Sequence, residues 1–265
     1  MSHRTTRRAP SVSQDLWPAF RTAWGESAEG YDSLFGHGIH SEAEHSTWLL
    51  LLRRLLPAQE KPLRILDVGT GTGMIAILAA ELGHTVTAAD YSETMLEVAS
   101  RKAEKFATDL DISFILSDAM LGEIEDGQFD VVICRHLLWA LPYPEEVLRR
   151  WKEVCRPNGK IIVIDQLRPR VHPVRQGIRE LADLLNPLIG SGDSHDGVFP
   201  KIPLHEQPLK RATSPLPIAN AMRRAGLNRV QGERLPWIDL VERPAMPRLE
   251  RWARRWNRYV VEGWV

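Results

Sequence analysis

The chain has 265 residues, 43% of them hydrophobic, enough to bury one substantial core, and is expected to form a single domain. Its 34 basic and 34 acidic residues cancel, which argues against a nucleic-acid or membrane-surface partner, since no overall positive field exists to hold a polyanion. The two cysteines, Cys134 and Cys155, form neither a Cys-x-x-Cys pair nor a zinc-spaced set, and the sequence has no apolar run of the length a spanning helix needs, so a reduced, cytoplasmic setting is expected.

Residues 1–13 are polar, carry Arg4, Arg7 and Arg8, and lead into no apolar signal-peptide core, so a disordered leader is expected there, with one domain over 14–265. Residues 14–60 are predicted to be a helical N-terminal lid. Leu16, Phe20 and Trp24 recur at intervals of four; Ser41 and Glu44 form a capping-box signature before the apolar run beginning at Trp48, and Pro57 ends that second helix. From residue 63, short apolar runs alternate with longer amphipathic stretches, the pattern of parallel strands joined by crossover helices. Strands are predicted at 63–68, 85–89, 112–116, 129–134 and 159–165, and helices at 74–82, 92–106 and 144–155. Residues 168–217, rich in proline and containing Gly-Ser-Gly-Asp-Ser-His-Asp-Gly, break the rhythm and are predicted to be an insertion, helical near 174–189, serving as a lid. A helix near 216–226, a strand near 228–234, a helix near 246–256 and a terminal strand from Tyr259 complete a seven-stranded sheet with one antiparallel edge member.

The most informative segment is Ile65-Leu-Asp-Val-Gly-Thr-Gly-Thr-Gly73, a strand running into three alternate glycines and then an apolar helix. Glycine lacks a Cβ, so such a turn reaches dihedrals closed to other residues and leaves room for a ligand over the following helix N-terminus. A dinucleotide fingerprint would place its third glycine where Met74 stands. Asp67, two positions before Gly69, is placed to anchor the loop and orient a cationic amino-acid ligand.

This segment resembles motif I of the class I S-adenosylmethionine (SAM)-dependent methyltransferases, and the likeness runs over about residues 22–165. It implies an α/β, Rossmann-like seven-stranded mostly parallel sheet with one antiparallel strand and helices on both faces. It also implies SAM as cofactor. Gly69, Thr70, Gly71 and Gly73 would cradle it; Asp90, ending Ala88-Ala-Asp-Tyr-Ser, would accept both ribose hydroxyls, which suits a carboxylate's two oxygens. Tyr91 would flank the adenine, Met95 would wall its pocket, and Ser117-Asp118-Ala119 would meet the adenine amino group through Asp118. Phe129-Asp-Val-Val-Ile-Cys-Arg-His136 resembles the fourth-strand motif, whose far end, Arg135 and His136, would face the sulfonium; Arg156-Pro-Asn-Gly-Lys-Ile-Ile-Val-Ile-Asp165 resembles the turn and fifth strand. Trp24 to Asp32 is similar to the N-terminal helix of the ubiquinone and menaquinone C-methyltransferase subgroup, the methyltransferase type 11 group, with Tyr31 capping the methionine moiety.

Methyl transfer from a sulfonium is an in-line displacement onto a small-molecule acceptor, and a base is wanted where that acceptor is a hydroxyl or an acidic carbon. His136, at the carboxyl end of the fourth strand, is the candidate, with Trp139 three residues on as a substrate contact. His37, His40, His45 and Glu44 straddle a loop and a helix start, a spacing that argues against a metal site. His172, His195 and His205 fall in the insertion, and Trp237 is a further aromatic candidate. The basic run Arg248–Arg258 with Trp252 and Trp256 is expected to be a helix with one buried stripe and a solvated basic face, not an RNA patch. Three rivals stand beside methylation: cyclisation or aminopropyl-type transfer releasing methylthioadenosine, a nicotinamide oxidoreductase, against which Met74 and the missing Tyr-x-x-x-Lys pair argue, and a non-catalytic SAM-binding subunit.

Overall fold

The computed structural model describes residues 16–34, 36–107, 109–167, 208–209, 212, 214–245 and 257–265. The expected leader, most of the insertion at 168–217 with its helix near 174–189 and three histidines, and the helix near 246–256 lie outside the described residues. The described elements are α1 (Leu16–Tyr31), α2 (Glu42–Leu55), β1 (Arg64–Val68), α3 (Met74–Glu81), β2 (Thr85–Asp90), α4 (Glu93–Phe106), β3 (Ile112–Leu116), β4 (Phe129–Arg135), α5 (Pro144–Val154), β5 (Cys155–Gln166), α6 (Leu216–Arg224), β6 (Asn228–Arg234), α7 (Pro236–Glu242) and β7 (Arg258–Trp264).

The strands form one seven-stranded sheet in the order β3-β2-β1-β4-β5-β7-β6. β1 to β5 are mutually parallel, and β7 runs antiparallel to both β5 and β6. The antiparallel strand is thus inserted one place inside the border, and β6 is the edge, where the sequence suggested an antiparallel edge member. The order reverses between β1 and β4, whose carboxyl ends open a crevice in sheets of this kind.

Strand periodicity of two divides the apolar residues between the two faces. Ile65, Val131, Ile133, Ile162 and Ile164 pack with Trp48, Leu52, Leu55 and the almost wholly apolar α3; Leu66, Val132, Cys134, Ile161 and Val163 pack with Leu148, Trp151 and Val154 of α5 and with Ile218 and Met222 of α6. Both faces are covered, which explains why the central strands read as continuous apolar runs. Trp151 also donates its indole N–H to the Ala119 carbonyl at 2.9 Å, tying α5 to the loop after β3.

Helix starts follow their caps. Ser41 caps α2, its hydroxyl accepting the Glu44 N–H at 3.2 Å, and Glu44 reaches back to the His40 N–H at 2.8 Å, a capping box with its return bond shifted one residue. Ser92 caps α4 by accepting the Met95 N–H. α7 has no counterpart in the predicted elements: it is seven residues long, begins on Pro236, and carries Ile238 into the core below α2.

Candidate functional site

Gly69, Gly71 and Gly73 all have positive φ, at 67°, 55° and 80°. Two of them have opposite surroundings. A Cβ at Gly69 would meet Leu137 Cδ2 at 2.9 Å, so the turn packs directly against the segment after β4. A Cβ at Gly71 would meet nothing nearer than Tyr31 Cε1 at 4.0 Å, so open space lies above this residue under a tyrosine roof. The loop is fixed from below: the N–H groups of Gly69 and Thr70 donate to the Ala89 carbonyl at 2.8 and 3.0 Å, and Thr70 Oγ1 donates to Asp67 Oδ2 at 2.7 Å. Asp67 is 1% exposed, and burial pushes its carboxyl up to about 7 against the opposing hydrogen bond from Thr70.

Asp90 ends β2 at the rim of the same loop. Its Oδ2 accepts the Gly71 N–H at 2.9 Å and its Oδ1 the Ser92 N–H at 2.9 Å. Burial raises its carboxyl, and those backbone bonds pull it back. Each carboxylate oxygen has two lone pairs, so beyond the backbone bonds the carboxylate keeps acceptor capacity for a ligand hydroxyl. Met95 is buried in the first turn of α4. Tyr91 lies beneath Arg21, whose guanidinium carbon is 5.7 Å from its ring centre. Asp118, at the end of β3, is exposed and turns its Oδ1 to the Met120 N–H at 2.8 Å, while Ala119 gives its carbonyl to Trp151.

The end of α1 is clasped onto the loop. Asp32, next to Tyr31, accepts Thr72 Oγ1 at 2.5 Å and Lys102 Nζ at 2.6 Å, and burial lowers the Lys102 ammonium against the pull of Asp32. Farther along α1, Glu29 pairs with Arg101 of α4. The Tyr31 ring stands edge-on to Trp24 at 5.9 Å and to His37 at 4.6 Å. The sequence reading singled out Tyr31 but not Asp32, Thr72 or Lys102, which act through pairing over 40 and 70 residues.

On the far side of the crevice lies a buried polar cluster. The Arg135 guanidinium donates to the His37 carbonyl at 3.1 Å and to the Gly36 carbonyl, and sits 5.1 Å from the Trp48 ring centre. It therefore holds the 36–37 loop in place. Burial and the neighbouring Arg258 lower it to about 10. Arg258, wholly buried, pairs with Asp239 at 3.2 Å and Glu242 at 2.5 Å on α7 and also donates to the Gly36 carbonyl at 3.1 Å. The solvated basic face expected at 248–258 is thus corrected at its last residue: Arg258 opens β7 and is an internal ion-pair centre.

His136 follows β4 with φ of 57°, and its side chain is 7% exposed. Its Nδ1 lies 3.2 Å from Oδ1 of the buried Asp165, a residue the sequence reading quoted only as the end of a strand motif. Burial pushes the imidazole well below its ordinary value, and Arg135, His37 and Arg258 push the same way, with the Gly36 carbonyl opposing. Burial raises Asp165 to about 7. Trp139 is in the short helical turn after His136, half-buried against the α5 side of the core. His37, His40 and His45 diverge: His45 bonds Glu81 at 2.8 Å and the His40 N–H serves Glu44. Trp237 belongs to the outer α2/α7 surface, under Arg54 at 5.2 Å.

A family model described as a methyltransferase domain matches residues 66–163. The chain is 35% identical over 112 residues to a demethylmenaquinone methyltransferase of Thermus thermophilus, covering 42% of this chain and 50% of that protein. It is 34% identical over 98 residues to a ubiquinone biosynthesis O-methyltransferase of Pseudomonas entomophila, covering 37% and 42%. The matched stretches thus span half or less of these curated relatives. Among solved structures, phosphoethanolamine N-methyltransferase 2 of Haemonchus contortus, in complex with SAM, shares the fold at a TM-score of 0.62 with 18% identity, over 91% of this chain and 57% of that one. Residues 66–163 thus match a methyltransferase-domain model, and the seven-stranded fold is one shared with a solved methyltransferase in complex with SAM.

Proposed function

We propose that this protein is a SAM-dependent methyltransferase acting on a small, quinone-related acceptor bound over the carboxyl ends of β4 and β5. The observation that carries the reading is the Asp90 carboxylate held 2.9 Å from the Gly71 N–H at the border of the open space under Tyr31. When bound, SAM supplies an electrophilic methyl on a sulfonium. Asp90 grips the ribose with its remaining acceptor capacity, while Gly69, Thr70, Gly71 and Gly73 let the ligand approach the backbone. Tyr91, Met95, Asp118 and Ala119 surround the adenine. Asp67 braces the loop through Thr70, and Tyr31 covers the amino-acid end and keeps water from the reacting centre. Arg135 fixes the 36–37 loop beside the acceptor, and His136 with Trp139 faces it. The names of the curated relatives support a quinone-related acceptor, and the balanced charge of the chain supports a small molecule over a polyanion.

Calorimetric titration with SAM and S-adenosylhomocysteine tests the reading. Both are expected to bind, and Asp90→Ala is expected to weaken binding at least tenfold, about 1.4 kcal/mol, the scale of lost charged hydrogen bonds. Wild-type protein with no affinity for either compound refutes it. Product analysis then separates methylation, which leaves S-adenosylhomocysteine, from transfers that leave methylthioadenosine.

A further inference from the structure

We propose that the outer face of α2 and α7 docks on the same face of a second copy of this chain, forming a two-fold dimer. The inference stands apart from the methyltransferase reading and goes beyond it.

The face is built by two helices that carry apolar side chains on both their sides. Residues 49–52 are four successive leucines, which a helix points in four directions. Leu51 and Leu52 enter the core with Trp48 and Leu55, whereas Leu50 stays 65% exposed. α7 is sorted in the same way. Ile238 and Glu242 are buried and Asp239 turns inward to Arg258, which leaves Trp237 and Leu240, one turn apart, on the outside at 38% and 64%. Both carboxylates of α7 are thus engaged by Arg258, and the outer side of the helix is apolar. A helix that is apolar on its outer as well as its inner side is one built to be covered on both.

Between the helices lies a hollow of about 290 Å³ lined by Thr47, Leu50, Leu51, Arg54 and Trp237, large enough to seat a leucine side chain. Leu240 projects from the same face, one turn along α7 from Trp237. A two-fold contact needs a surface complementary to itself, with each residue pair occurring twice. A hollow and a projecting leucine side by side meet that need: Leu240 of one copy enters the hollow of the other, and the reverse.

The charges at the rim point to the same occupant. Arg54 lies 5.2 Å from the Trp237 ring centre and pairs with Glu233 of β6, and both side chains are nearly half exposed. Each copy therefore brings one cation and one anion to the border. Across a two-fold axis Arg54 of one copy meets Glu233 of the other, and every charge stays paired. An apolar centre holding tryptophan, edged by arginine and a carboxylate, has the make-up of a protein interface. An anionic lipid surface is disfavoured, because Glu233 already neutralises the arginine of the hollow. The 34 basic and 34 acidic residues of the chain also cancel, so two copies approach without net repulsion.

Sedimentation velocity over a concentration series tests this. Wild-type protein is expected to pass from monomer to dimer as concentration rises, and its Tm to rise with it. Leu240→Glu, at an exposed position, is expected to weaken association at least tenfold and to leave the Tm of the dilute protein unchanged. Arg54→Glu alone and Glu233→Arg alone set like charges across the contact and are expected to be monomers. Their equimolar mixture restores both opposite-charge pairs between chains and neither within a chain, and is expected to dimerise. A wild type that stays monomeric throughout, a dimer that Leu240→Glu leaves intact, or a mixture that stays monomeric overturns the proposal. Co-sedimentation of monomeric wild type with vesicles of phosphatidylcholine and phosphatidylglycerol, abolished by Leu240→Glu, would give the face to a lipid surface and overturn it likewise.

Discussion

Alanine at Gly69 and alanine at Gly71 should fail for different reasons. At Gly69 the new methyl would be driven into Leu137 at 2.9 Å from a backbone that already disfavours a side chain, a combination of overpacking and strain costing roughly 2–4 kcal/mol. At Gly71 the methyl has room in the protein and only the left-handed strain of about 1–2 kcal/mol, but it fills the space assigned to the ligand. Gly69→Ala is therefore expected to lower Tm more than Gly71→Ala, and Gly71→Ala to lose at least tenfold in S-adenosylhomocysteine affinity, which thermal melts and calorimetry measure side by side. The glycines and Asp90 were legible in the sequence because a turn's dihedral demands and a carboxylate's position after a strand are local facts. Asp165 and Asp32 were not, because each acquires its meaning from a partner that only sheet register or helix docking brings near.

At the level of elements, α7 and the start of β7 form a latch around Arg258. Removing its guanidinium would leave Asp239 and Glu242 buried without their cation and release one of the two arginine bonds to Gly36. Arg258→Met is expected to destabilise by roughly 3–5 kcal/mol, the range for breaking one side of a buried pair, and a denaturant titration would show it as a shifted midpoint. The strands were readable since uninterrupted apolar runs bounded by polar residues have few other uses in a chain covered on both faces. α7 escaped because about two turns starting on proline are too short to show a period. Arg258 escaped because an arginine in a basic run reads as solvated until its carboxylates, 19 and 16 positions away, are placed.

For the whole molecule, two buried carboxyls tie stability to pH. Asp67 and Asp165 are both raised to about 7 from 3.8, so the folded protein keeps protons that the unfolded chain has released. Their contribution is complete below about pH 4, is lost as pH rises toward 7, and is level above that. Thermal melts are expected to show a higher Tm at pH 5 than at pH 8, and Asp165→Asn, which needs no ionisation, to narrow that gap while raising Tm at pH 8. A Tm gap that Asp165→Asn leaves untouched would disprove the assignment. The bonds from Asp32 to Thr72 and Lys102 extend this coupling to motion. Because they join the residue that follows α1 to the glycine loop proposed to receive the ligand, occupancy and docking of that helix would favour one another equally in both directions. Amide hydrogens of α1 should exchange more slowly once the crevice is filled, and a chain whose first helix is loosened should release its ligand sooner.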